Sequence, residues 1–289
     1  MVTSVSRHGF PSTETAEDMP GLLQSTSRVL DRLEGSEMSR SRALESTLTV
    51  AKSYCANDPE GSKFETWEAW VTAMQVGSAL FDSATAAEGP VPCRIGSLGE
   101  VKNLPATGPT SYTHAGAWVT SVYLATICRE NERLERLMRV PVSFLRESGA
   151  VYDEYIYDWV EALQSFWSGR ATDMWDKLVA AVNGTEPGVT RFADREAMLQ
   201  ILYPPLELFQ LYQRQETEKF NTSLAQALTW HKQYWTGDEA RSLSSDGLVA
   251  LGPLALACMA YDADFPIEVD SEYLPKALLK RSWVGEFDT

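Results

Sequence analysis

Residues 160–182, VEALQSFWSGRATDMWDKLVAAV, align without a gap to residues 206–228, LELFQLYQRQETEKFNTSLAQAL. Phe166 falls on Tyr212, Met174 on Phe220, Leu178 on Leu224, Ala181 on Ala227 and Val182 on Leu228. Each copy reads as a helix, a polar turn of two to three residues, and a second helix with an aromatic or Met near its start. Such a unit cannot bury its apolar face alone and must stack on a neighbour. Two copies are too few for a solenoid, so the expected architecture is stacked αα-hairpins at about residues 152–183 and 204–235.

The rest of the chain fits a mainly α fold. Residues 1–19, rich in Ser, Thr and acids, read as a flexible or extended arm, and 20–289 as one helical domain. Helices are expected at 20–34 and 36–57, split by Gly35-Ser36 and stopped by Asn57 to Gly61. The next helix, 62–81, is apolar almost all round. Its polar residues Glu65, Glu68, Thr72 and Gln75 form one narrow strip, and Trp67 and Trp70 belong to the apolar remainder. A helix of that kind sits centrally and is contacted on several sides. Two short runs around Gly96-Ser97-Leu98-Gly99 predict a β-hairpin inserted at 91–104, with Arg94 and Lys102 shielding its edge.

Helices resume at roughly 111–129 and 130–139, and Pro141 opens a short segment ending at Ser148-Gly149. Ser245-Asp246 is placed to cap a buried helix over 247–261. The last stretch has little periodicity. It offers a few extended residues at 267–269, a short basic turn at Pro275-Lys276, and Trp283 and Phe287 as anchors of the tail.

The segment AVYDEYIYDWVEALQSFW, 150–167, threads aromatics through carboxylates. Tyr152, Tyr155, Ile156, Trp159, Leu163, Phe166 and Trp167 recur at three- and four-residue steps and form one helix face. Asp153, Glu154, Asp158 and Glu161 fall opposite, and Tyr157 stands among them. Either a neighbouring element covers Tyr157 or it is an exposed aromatic ringed by acids. Interface hot spots favour tyrosine in such a setting. Asp153, Glu154, Tyr157, Asp158 and Glu161 are therefore the candidate partner-binding residues.

Catalytic signatures are missing from the sequence. His8, His114 and His231 have no ligand spacing, and His231 reads as a partly exposed structural histidine near a helix end. There is no GxSxG, GxGxxG or GxxxxGK[ST]. A terpene-synthase-like aspartate motif needs acids at i, i+1 and i+4, and after Asp153-Glu154 the fourth position is Tyr157. A glycosidase-like carboxylate pair depends on spatial separation, which sequence does not supply. Catalytic residues, metal ligands and cofactors are each predicted to be none.

A net charge of -15 repels nucleic acid and anionic membrane and steers the chain towards basic partners. The four scattered cysteines read as reduced, mostly buried thiols, which with the polar N-terminus predicts a cytoplasmic protein. The most apolar run, 247–261, is too short for a bilayer and contains Gly252-Pro253.

FETWEAWVTAMQVGSALF (64–81), SGAVYDEYIYDWVEALQSFW (148–167), DREAMLQILYPP (194–205), GLVALGPLALACMAYDADFPIEV (247–269) and SEYLPKALLKRSWVGEF (271–287) together resemble the immunity protein 49 family. The likeness extends over most of the chain from about residue 40. It implies a bacterial helical protein that neutralises the toxin of a polymorphic toxin system, with a cognate toxin domain as partner; the chain's negative charge favours a basic one. Two other readings remain: a helical-repeat scaffold or regulator with a non-toxin partner, and an undetected α-helical enzyme. Oligomeric state is open.

Overall fold

A computed structural model describes residues 2–96 and 100–286. In chain order the elements are β1 (Thr3–Ser4), α1 (Ser12–Leu30), α2 (Glu37–Asn57), α3 (Phe64–Thr85), β2 (Val91–Arg94), β3 (Val101–Leu104), α4 (Ala115–Cys128), α5 (Asn131–Met138) and α6 (Val142–Arg146). They continue with α7 (Tyr155–Trp167), α8 (Ala171–Gly184), α9 (Arg195–Ala197), a π-helical turn at Met198–Leu202, α10 (Pro204–Gln213) and α11 (Thr217–Trp235). Last come α12 (Glu239–Ser242), a 3-10 turn at Ser245–Leu248, α13 (Leu251–Asp262), β4 (Val269–Asp270) and α14 (Lys276–Leu279). The protein is mainly α, as the apolar spacing predicts. Its contacts group it into two compact units: residues 10–150 with 275–289, and residues 1–9 with 151–274.

In the first unit α1 packs on α2, α2 on α3 and α3 on α4. Helix α3 is central, as expected from its all-round apolar surface. Trp70, Ala73, Met74, Val76 and Ala79 are fully buried, and Trp67 is nearly so. Its start is organised by Asp58. One carboxylate oxygen accepts from Ser62 N and Oγ at 3.0 and 2.9 Å, and the other from Lys63 N at 2.8 Å and Thr66 Oγ1 at 2.7 Å. Ser36 caps α2 by accepting from Ser39 N.

The expected hairpin is present. β2 and β3 pair antiparallel with Val91 opposite Leu104 and Arg94 opposite Val101. Its inner face, including Cys93, Ile95 and Leu104, packs against Leu33, Ala43, Val76 and Leu80. Residues 97–99 of its predicted turn lie outside the described residues, as does Phe287. Trp283 does secure the tail, donating from Nε1 to Gly61 O at 3.1 Å and meeting Phe64 edge-on.

The second unit holds the two predicted hairpins, α7–α8 and α10–α11, and their turns are alike to the individual hydrogen bond. Ser168, Gly169 and Arg170 donate their backbone N–H groups to the carbonyls of Gln164, Phe166 and Ser165. Forty-six positions on, Arg214, Gln215 and Glu216 donate to Gln210, Tyr212 and Leu211. Both turns reverse through one left-handed residue, Gly169 at φ 71° and Gln215 at φ 56°. This is the Schellman pattern, which closes the open carbonyls of a helix end. Met174 and Phe220, Leu178 and Leu224, and Ala181 and Ala227 are all buried, so the repeat is a repeat of burial too. A Cβ on Gly184 would sit 2.8 Å from Tyr155 Cβ, so the bare glycine is what lets the end of α8 close onto the start of α7.

Three local expectations are corrected. The N-terminal segment is not a loose arm to residue 19: α1 begins at Ser12. Its first turn is held by distant groups, with Ser12 Oγ donating to Ala56 O at 3.2 Å and Asn57 Nδ2 donating to Ser12 O at 3.0 Å. Pro20, which suggests a helix start, lies inside α1. Upstream of it, residues 3–4 pair in parallel with 269–270, and buried His8 hydrogen-bonds Tyr273 through Nδ1 at 2.8 Å. The buried helix near 247 begins only at Leu251, with Pro253 in its first turn and no side-chain cap. Ser244, not Ser245, accepts a capping bond from Asp246 N, and it caps the 3-10 turn before that helix. Finally, His231 is buried, not partly exposed, and its Nε2 lies 3.0 Å from Gly247 O.

Candidate functional site

The five candidate residues around the start of α7 separate into distinct roles. Asp153 is buried, at 7% exposure, and faces inward. Its Oδ1 accepts from Arg191 N at 2.6 Å and its Oδ2 from Ala193 N at 2.9 Å, while Phe192 N approaches both oxygens at 3.2–3.3 Å. Three consecutive amides thus cradle one carboxylate, an anion nest supplied by the chain itself. Burial alone would raise this carboxyl's pKa, but the three N–H donors outweigh it and hold the group below the usual aspartate value. Asp153 fixes the loop between α8 and α9.

Tyr157 is buried as well, at 5% exposure. The exposed-aromatic alternative is therefore corrected: protein covers the ring. A helical wheel assigns Tyr157 to the polar face because it scores only neighbours on the same helix.

Glu154 is exposed, and Asp158 and Glu161 are half-buried. Lys177 reaches from α8 between the last two, with Nζ 3.2 Å from Asp158 Oδ1 and 2.6 Å from Glu161 Oε2. The Glu161 bond, outweighing desolvation and assisted by Asp158, raises the Lys177 pKa. The surface around the start of α7 is thus a carboxylate–ammonium–carboxylate bridge with Glu154 beside it. The three charges are about a third exposed, so solvent screens the bridge. Lys177→Met is expected to cost only about 0.2–1 kcal/mol, read as a small fall in thermal midpoint that shrinks with added salt. A loss several times larger would mean that the bridge organises the hairpin.

The first unit contains an arginine-lined concavity of about 630 Å³, walled by Arg94, Arg133, Arg136 and Arg139 with Asp82 and Cys93. Much of its charge is answered internally. Arg136 Nε lies 3.1 Å from Asp82 Oδ1, Arg133 Nη1 donates to Ser78 Oγ at 2.9 Å, and Arg139 pairs with Glu135 at 3.6 Å. Burial first, then the charge of Asp82, pushes the Cys93 thiol pKa up to about 11, away from nucleophilic use. All four cysteines are buried. Among the described residues no group of His, Cys, Asp and Glu is arranged to hold a metal ion, and no helix is long and apolar enough to cross a membrane.

Fold and surface together define a helical-hairpin protein whose ionisable groups cap helices, clamp loops and line open concavities. Within that class, a family model described as immunity protein 49 matches residues 58–278, most of the chain and parts of both units. The chain belongs to the immunity protein 49 family. Neither a curated protein nor a solved structure matches it.

Proposed function

We propose that this protein is an immunity protein that neutralises a cognate bacterial toxin by direct binding in the cytoplasm, without catalysis of its own. Membership of the immunity protein 49 family over residues 58–278 carries the reading. The net charge of -15 supports a basic partner, because complementary charge speeds encounter and penalises wrong partners. Glu154, Asp158 and Glu161 are proposed as part of the partner-facing surface. Asp153 and Tyr157 serve it from beneath, by holding the 190–193 loop and the α7 helix in place.

The test is co-expression with the toxin-domain protein encoded beside it. Growth rescue together with a co-purifying complex is the expected result. Rescue without any complex would replace direct binding by an indirect route, and no rescue would remove the immunity reading.

A further inference from the structure

Three elements build the arginine-lined concavity of the first unit. Helix α3 gives Asp82 and Thr85, strand β2 gives Val91 to Arg94, and α5 gives Arg133 and Arg136, with Arg139 just past its end. Arg133, Arg136 and Arg139 recur every third residue, so they step along one side of the helix, where like charges repel. Four guanidiniums thus meet one carboxylate, in a chain whose net charge is -15. The helix dipole favours Arg136 and Arg139 at the C-terminal end of α5. It does not account for Arg133, which stands in the first turn, at the end that disfavours a cation.

Arg133 is 7% exposed, yet its guanidinium is far from satisfied. Of its five donors, one hydrogen-bonds the protein among the described residues, from Nη1 to Ser78 Oγ at 2.9 Å. Nε lies 3.9 Å from Glu130 Oε2, a charge contact beyond hydrogen-bond reach. The remaining donors are not sealed in the core, as Trp70 Nε1 is, and they open onto the concavity that Arg133 lines. Burial lowers the Arg133 pKa against the opposing charge of Glu130. Arg136 is half answered in the same way. Its Nε lies 3.1 Å from both oxygens of Asp82, while neither terminal nitrogen has a hydrogen bond to the protein among the described residues. A buried charge with open donors is costly unless something completes it. Here two guanidiniums one turn apart hold such donors at one concavity.

We propose that this concavity is an oxyanion site that takes a phosphate group carried by a small molecule. The open donors of Arg133 and Arg136 hold its oxygens, and Arg94 and Arg139 add positive charge. Guanidinium forks match phosphate oxygens, two parallel bonds at a time. A lone carboxylate would answer one cation of the excess that Asp82 leaves, whereas a phosphate carrying about two charges answers two. A nucleic-acid strand would meet the repulsion of the whole chain at -15. A single anion at contact meets mainly the local guanidiniums, because salt screens charges beyond about 8 Å. The volume of about 630 Å³ lies within the range of small-molecule sites, about 300–1,000 Å³, which leaves room for the body that carries the phosphate. No aromatic side chain lines the concavity, so no ring is offered for stacking a base. Oxyanion binding here is independent of toxin binding and is measured without any toxin.

The experiment titrates the isotope-labelled full chain with glycerol phosphate and with inorganic phosphate, following backbone amide shifts at constant ionic strength. Sodium acetate, a carboxylate of single charge, is the control. Saturable shifts centred on residues 82–94 and 133–139 are expected with both phosphates, about tenfold or more tighter than with acetate. The double variant Arg136→Gln/Arg139→Gln, altered at exposed side chains, should weaken both by about tenfold or more with the folded spectrum kept. Arg133→Lys keeps the charge but loses the fork, and should weaken them by about three- to tenfold. Acetate binding as tightly as phosphate would assign the concavity to an acidic side chain of a protein instead. A single-stranded oligonucleotide binding more tightly than glycerol phosphate would assign it to nucleic acid. Inorganic phosphate binding where glycerol phosphate does not would exclude a carried group. Shifts centred elsewhere, or unchanged affinity in the double variant, would overturn the site altogether.

Discussion

Phe209→Ala is expected to destabilise the protein by about 3–5 kcal/mol, the usual cost of deleting a large buried ring. Phe209 is fully buried on α10. Its ring centroid lies 5.2 Å from that of Trp159 and 5.3 Å from that of Phe166, both edge-on, and 6.4 Å from that of Tyr212. Edge-to-face pairs contribute about 0.5–1.5 kcal/mol beyond the area they bury. Three of these four rings belong to the repeated segments 160–182 and 206–228, so the cluster is where one helical hairpin lies against the other. Urea denaturation followed by tryptophan emission measures the effect, with Phe209→Leu as the volume-sparing comparison. A loss below about 1 kcal/mol for the alanine variant would show that the hairpins are held together elsewhere.

Asp153→Ala is expected to cost about 2–4 kcal/mol at neutral pH, because it leaves the amides of Arg191, Phe192 and Ala193 without their charged acceptor. The pH dependence is the sharper signature. The folded-state pKa of Asp153 is lowered, so the ionised carboxylate binds the nest more strongly than the neutral acid. Its contribution is fully present above the ordinary aspartate value of about 3.9 and is lost as pH falls through the folded value below it. Wild type and variant should therefore differ at pH 7 and converge below about pH 4. Asp58, whose pKa is likewise lowered by hydrogen bonds that outweigh burial, weakens the wild type over the same range. Comparing each variant with wild type at the same pH subtracts that effect. A gap as large at pH 3 as at pH 7 would show that Asp153 acts by shape and not by charge.

These two residues mark what was legible in the sequence. Phe209 belongs to a repeat that shows in the spacing, and the paired turns through Gly169 and Gln215 follow from it. Asp153 shows in the sequence only as an acid beside other acids. Its partners lie 38 to 40 positions away in a loop without periodicity, so no local pattern marks it as buried. Tyr157 was misplaced for a related reason, since a helical wheel knows only one helix. The strip Glu65, Glu68, Thr72 and Gln75 was visible as polar, but its meaning changes once α1 and the hairpin stand beside it: Gln75 is fully buried and accepts from Gly96 N at 2.8 Å, while the other three line an open cleft among α1, α2, α3 and the hairpin.

The sequence by itself determined the mainly α class, the two helical hairpins, the central position of α3 and the inserted β-hairpin. Each follows from spacing within some twenty residues, where periodicity and turn chemistry act directly on the backbone. Only the tertiary structure decided which polar groups are surface and which are clamps. His8 meets Tyr273 across 265 positions, α1 starts at Ser12 because the end of α2 holds it, and Lys177 joins Asp158 to Glu161 from the next helix. The physical reason is that burial belongs to a neighbourhood in space, and a polar residue becomes a structural group or a binding group according to what distant chain is brought against it.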